Sequence, residues 1–140
     1  MKSNILVLGA GAWGTAIANL LAENHNEKIF LWAFEKKVSE DINKNKINSQ
    51  FLPKIKLNKN IVAINDFSQI VPHYIFIVVP SQFVFVVVKK YIDSITKESK
   101  KKISVIICSK GFDLKKKLLL TDVLKSFFSL KRMAILSGPS

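Results

Sequence analysis

Three glycines spaced Gly-x-Gly-x-x-Gly stand near the start of this 140-residue chain, in Gly9-Ala10-Gly11-Ala12-Trp13-Gly14. Chemistry at such a run is done by the backbone. In a turn of this kind the first glycine bends the chain out of a strand and the second admits a pyrophosphate. The third lets a helix pack on the sheet, while the helix N-terminus offers free N–H groups and a partial positive charge to the phosphates. The motif alone is weak, because glycines also simply tighten strand–helix junctions. Here it has a buried-strand pattern before it (Ile5–Leu8), an Ala-rich helical pattern after it (Ala12–Glu23) and a second strand (Lys28–Trp32) leading to an acid. That acid, Glu35, falls about twenty residues beyond Gly14, where a carboxylate would hold the adenosine ribose hydroxyls. The whole unit predicts dinucleotide binding. Glu35 repels a 2′-phosphate and favours NAD over NADP, although Lys36 and Lys37 follow at once and offer partial neutralisation.

Ligands of such sheets lie beyond the carboxyl ends of the strands. The strand-end candidates are Val79-Pro80-Ser81-Gln82-Phe83, Ser109-Lys110-Gly111-Phe112 and Ser137-Gly138-Pro139-Ser140. Lys110 fits either a solvated surface lysine or a cation that meets a phosphate or polarises a carbonyl oxygen. Phe83 suits either the core or the face of a flat ring. His25 and His73 lie in polar, turn-like segments without an acidic or histidine partner at ligand spacing, so no metal site is expected. Cys108 sits inside an apolar run and reads as a small core residue.

The elements that must position these residues alternate along the chain. After Lys28–Trp32 comes a polar helical segment (Glu35–Lys46), then an irregular stretch opened by Phe51-Leu52-Pro53, where Pro53 rejects helix. Ile61–Ile64 is a short strand, and Asp66 with Gln69 has the look of a helix cap. Strand Tyr74–Val79, helix Gln82–Ile95, strand Ile103–Cys108, helix Asp113–Phe128 and strand Met133–Leu136 complete the series. Leu118, Leu119, Val123 and Phe127 are expected to face inward on the last helix. Strands apolar on both faces, alternating with helices, predict a doubly wound α/β domain with a parallel sheet. A single dinucleotide-binding domain over 1–140 is expected. The chain stops just after a strand without a closing helix, which reads as a domain cut short at its C-terminal end.

Composition excludes several classes. At 49% apolar and 23% charged residues the chain is neither disordered nor collagen-like. A single cysteine allows no internal disulfide and no thiolate metal site, and a reducing compartment is the simpler assumption. The net charge of +12 rests on 21 lysines and one arginine, Arg132. Nucleic-acid readers lean on arginine, and these lysines are scattered, so no nucleic-acid partner is expected. The N-terminal apolar run is broken by Gly9, Gly11 and Gly14, unlike a secretory signal. Tyr74–Val88 is too short to cross a bilayer and is divided by Pro80. No membrane partner is expected, and the cytoplasm is the expected location.

Five segments, in order, together resemble NAD(P)-dependent glycerol-3-phosphate dehydrogenase. They are Gly9 to Ala16, Phe51-Leu52-Pro53, Val78-Val79-Pro80-Ser81, Ser109-Lys110-Gly111 and Leu136 to Ser140. The likeness covers only that family's N-terminal, Rossmann-type cofactor domain. It implies reversible oxidation of sn-glycerol 3-phosphate to dihydroxyacetone phosphate, feeding phospholipid synthesis, and a homodimer for full-length members. It further implies that Ala12 and Trp13 join Gly9, Gly11 and Gly14 at the cofactor phosphates. Phe34 would lie against the adenosine, Phe83 would touch the cofactor, and Lys110 would be shared by nicotinamide and substrate. Gly138 and Ser140 would contact substrate. Many bacterial members carry His or Arg where Phe34 stands, a departure that again favours NAD. The family's proton-accepting lysine comes from a following helical substrate domain, so no catalytic residue is assigned here, and turnover by these 140 residues alone is not expected. A stand-alone NAD(H)-sensing module without enzymatic activity is the alternative reading.

Overall fold

The computed structural model describes residues 5–68, 70–113, 115 and 117–137. Its elements are β1 (Ile5–Leu8), α1 (Ala12–Asn24), β2 (Ile29–Trp32), α2 (Lys36–Asn45), β3 (Ile61–Ile64), β4 (Tyr74–Ile77) and α3 (Ser81–Asp93), followed by α4 (Lys97–Lys100), β5 (Ser104–Ile107), β6 (Phe112–Asp113), β7 (Leu118–Leu119), α5 (Leu120–Leu124), a 3₁₀ turn (Leu130–Arg132) and β8 (Met133–Ile135). Among the described residues the main sheet has six strands in the order β3-β2-β1-β4-β5-β8, all parallel. The chain winds outward from β1 through β2 to β3, then crosses back to β4 and winds the other way. This is the doubly wound Rossmann-type topology, and its direction reverses between β1 and β4.

The central strands β1 and β2 are apolar throughout because helices cover both faces of the sheet there. Even-numbered residues of β1 and β2, such as Leu6, Leu8, Phe30 and Trp32, pack with Val84, Val88 and Tyr91 of α3. Odd-numbered ones, such as Val7, Ile29 and Leu31, pack with Ala18 and Ala22 of α1 and Val38 and Ile42 of α2. The two layers clamp β1 between helices, so its register with β2 and β4 (Leu8 opposite Trp32 and Ile77) aligns the carboxyl ends of three strands along one rim. In α3 the valines contribute apolar area to the core, which offsets their low helix propensity.

Two local expectations are corrected. Where one helix was expected over 113–128, the chain makes a two-residue antiparallel ladder, Phe112 opposite Leu119 and Asp113 opposite Leu118, and helix begins only at Leu120. The Asp113 carboxylate accepts the Lys115 N–H at 3.0 Å, and Lys117 takes a left-handed φ of 55°. A carboxylate bonding its own following backbone competes with the first helical turn, and the turn wins. Leu118 and Leu119 are consequently exposed; Val123 is buried and Phe127 packs against the core as expected. The second concerns Asp66, which caps no helix: it accepts the Ser68 N–H at 2.9 Å in a turn. Those hydrogen bonds hold its carboxyl below the usual range. Gln69 lies outside the described residues.

Cys108 is buried at the end of β5, and burial pushes its thiol up to about 11. With so little thiolate at pH 8, alkylation by iodoacetamide should be at least ~100-fold slower in the folded protein than in urea, as followed by mass spectrometry. Equal rates would show that the β5 end is open to solvent.

Candidate dinucleotide site

The glycine turn leaves β1 at the reversal point of the sheet. Gly9 has a φ of +121°, a backbone conformation that favours glycine, and donates its N–H to the Trp32 carbonyl at 3.1 Å. A Cβ on Gly9 would lie 2.9 Å from the Val79 nitrogen, and one on Gly14 would lie 1.8 Å from the Gly9 carbonyl oxygen. Both positions are side-chain-free because the fold leaves no room. Gly11 differs. Its φ of −71° and ψ of −171° suit any residue, and a Cβ there would meet no atom within 4 Å.

Gly11 is the N-cap of α1, and the first helical hydrogen bond runs from the Thr15 N–H to the Gly11 carbonyl at 3.0 Å. The N–H groups of Ala12, Trp13 and Gly14 precede that bond, so the helix itself does not satisfy them. No side chain caps this terminus and no acid lies in its first turn, so its partial positive charge is not neutralised from within α1. The open position at Gly11 and these donors together fit a phosphate-bearing group.

In front of them is a cavity of about 470 Å³ whose wall joins the turn to the β2 and β4 ends and to α3. Trp13, Phe34, Phe51 and Phe83 contribute to it while remaining substantially exposed, Phe34 at 81% and Phe83 at 52%. Aromatic surface left open around a cleft suits the faces of flat rings. Phe83 therefore belongs to the rim and not to the core. Among the described residues the only titratable side chain in the wall is Glu35. Its carboxylate lies 3.5 Å from the Lys37 ammonium, while Lys36 reaches Glu40 at 3.9 Å.

Asn65, just beyond β3, fixes the loop that carries Phe34 and Glu35. Its side-chain amide donates to the carbonyls of Ala33 at 3.0 Å and Phe34 at 2.9 Å, and its backbone carbonyl accepts the Trp32 indole N–H at 2.9 Å. Sequence reasoning missed Asn65, and Asn is too abundant in this chain for it to stand out; its place just beyond a strand end was the available signal. Phe51 appeared there only as part of a motif.

The structure gathers Gly9, Gly11, Ala12, Trp13, Gly14, Phe34, Glu35 and Phe83 at this cavity, and Lys110 is not part of its wall. Lys110 is exposed and is followed by Gly111 with a φ of +92°. Beside it, the Ser109 hydroxyl bonds the carbonyls of Val79 and Ile77, tying the β5 end to the β4 end. Gly138 and Ser140 lie outside the described residues. His25 and His73 are exposed, and no group of three potential metal ligands occurs among the described residues. No described helix is long and apolar enough to cross a membrane.

Comparison with known proteins gives the family and the fold. Residues 4–140 match the family model of the NAD-dependent glycerol-3-phosphate dehydrogenase N-terminus. A glycerol-3-phosphate dehydrogenase [NAD(P)+] of Neorickettsia sennetsu is 36% identical over 136 residues, covering 96% of this chain and 39% of the relative. That of Orientia tsutsugamushi is 38% identical over 138 residues, with 97% and 40% covered. The crystal structure of glycerol-3-phosphate dehydrogenase from Coxiella burnetii superposes with a TM-score of 0.82 at 30% identity, covering 97% of this chain and 41% of that one. The chain thus spans about two fifths of the length of the proteins it matches.

Proposed function

The chain belongs to the NAD-dependent glycerol-3-phosphate dehydrogenase family, matching its N-terminal domain, and from that premise we propose that residues 1–140 are a dinucleotide-binding domain serving oxidation of sn-glycerol 3-phosphate to dihydroxyacetone phosphate. The observation that carries this reading is Gly11: a position the fold does not require to be glycine, open to a large cavity, beside an uncapped helix N-terminus.

The roles follow from placement. Gly9, its own N–H held by the Trp32 carbonyl, makes the turn, and the N–H groups of Gly11, Ala12, Trp13 and Gly14 receive the pyrophosphate. Phe34 lies against the adenosine and Glu35 accepts from the ribose hydroxyls. Phe83 flanks a flat ring from the opposite wall. Lys110 serves nicotinamide and substrate together, and Gly138 and Ser140 contact substrate. When bound, the nicotinamide supplies the hydride acceptor. The substrate hydroxyl must also lose a proton. Among the described residues Glu35 is the only titratable side chain of the wall and is assigned to the ribose and Lys37, while Lys110 is assigned as a cation that orients nicotinamide and substrate. These residues therefore bind and orient, and the 140-residue chain is not expected to reduce NAD with glycerol 3-phosphate by itself. In the cell the reaction would serve phospholipid synthesis in the cytoplasm.

NAD is the preferred cofactor, because the Glu35 carboxylate at the ribose position repels a 2′-phosphate. Calorimetric titration should give NADH an affinity about 10-fold above that of NADPH, equivalent to ~1.4 kcal/mol. Glu35→Gln should narrow the ratio to about threefold or less. Heat from neither nucleotide would overturn the dinucleotide reading; equal heat from both would overturn the preference alone.

A further inference from the structure

Asn48 lies in the connection between α2 and β3, is fully buried, and has no place in the cavity wall. Its side-chain nitrogen donates to the Ala10 carbonyl at 2.9 Å and to the Thr15 hydroxyl at 2.9 Å. Its side-chain oxygen accepts the Phe51 N–H at 3.2 Å. The Asn48 backbone carbonyl accepts the Leu52 N–H at 2.8 Å, closing a tight loop that carries Phe51 into the wall. One buried amide thus joins the glycine turn, the first turn of α1 and an aromatic of the cavity.

The contact with Ala10 has a directional consequence. In a trans peptide the C=O and the following N–H point in opposite directions, and no cis peptide occurs among the described residues. Ala10 and Gly11 share such a peptide. Pinning the Ala10 oxygen toward the buried Asn48 turns the Gly11 N–H the other way, toward the cavity that Gly11 lines.

We propose that Asn48 is a positioning residue of the dinucleotide site: it aims the Gly11 amide at a phosphate oxygen and ties Phe51 to the same frame. This rests on the dinucleotide reading above. Removing the amide frees the Ala10–Gly11 peptide to rotate and leaves the Phe51 loop without its anchor.

The test uses the 140-residue chain with NADH and inorganic pyrophosphate as probes. Asn48→Ala should weaken NADH binding about 10-fold or more, measured by calorimetry well below the melting temperature of each protein so that all molecules are folded. Phe51→Ala should weaken it several-fold in the wild type and less than about twofold in the Asn48→Ala background, because the tie to the turn is already lost. A purely structural Asn48 would lower the melting temperature, leave the affinity of folded protein unchanged and give additive effects; that result overturns the proposal. Asn48→Asp, which keeps the acceptor for Phe51 and loses the amide donor, is the second variant should alanine fail to fold. In the wild type, pyrophosphate should move the Gly11 amide cross-peak in ¹H–¹⁵N spectra, and an unmoved peak at saturation overturns the proposal whatever the variants do. If the wild type binds no NADH, the dinucleotide reading fails. If it binds and the Asn48 variants bind equally well, only the role of Asn48 fails.

Discussion

Gly11→Val should leave the protein folded and remove its affinity for NADH. The Gly11 backbone lies in the extended region, where a β-branched residue is at ease, and its Cβ would enter open space. Gly11 is also the N-cap of α1, where valine is poorer than glycine by roughly 0.5–1 kcal/mol, so the melting temperature should fall by only a few degrees. The two γ-methyl groups would occupy the cavity in front of the amides. Each charge-assisted hydrogen bond displaced is worth about 1.5–3 kcal/mol, and losing two of them lowers affinity about 100-fold or more. Paired thermal melts and calorimetric titrations decide it. An unchanged affinity in a folded variant would remove the phosphate role from the turn.

Gly14→Ala should do the reverse and fail at folding. The new carbon would lie 1.8 Å from the Gly9 carbonyl oxygen and 2.9 Å from its carbon, both backbone atoms that no side-chain rotation can move aside. Relief requires α1 to lift from β1 and to give up packing by Ala18 and Ala22. Overpacking of this kind costs about 1–3 kcal/mol even where neighbours are flexible, and a backbone clash costs more. Against a total of roughly 5–15 kcal/mol, the variant should melt tens of degrees lower or be recovered insoluble. Circular dichroism melts measure it; a wild-type melting curve would mean that α1 does not sit against the turn. Adding one carbon three positions from Gly11 thus separates what the fold needs from what the ligand needs.

The sheet was legible in the sequence because its central strands β1 and β2 are buried at every position and its other strands read as short, mostly apolar runs, Ile103–Cys108 broken only by Ser104. The turn was legible because its glycines are punctuation between two such elements. The segment after Gly111 was not. Leucines at 118 and 119 fit a helical stripe as well as they fit an exposed ladder, and the balance is set by Asp113 bonding the Lys115 amide, a competition that periodicity does not register. Asn48 and Asn65 were hidden for another reason. Their partners lie 38 and 32 residues away in the chain, so their importance exists only after the sheet has formed. Phe83 was ambiguous until α3 was seen to turn that face toward the cavity.

The Asn65 clamp on the carbonyls of Ala33 and Phe34 has an evolutionary corollary. Because the main chain there is held by an amide just beyond the neighbouring strand β3, what lies beyond the end of β2 can be exchanged without redrawing the loop. On the proposed reading of Phe34 and Glu35, coenzyme choice would then be a modular trait: a lineage could retool it by replacing the groups at those two positions, with the scaffold beneath carried through unaltered.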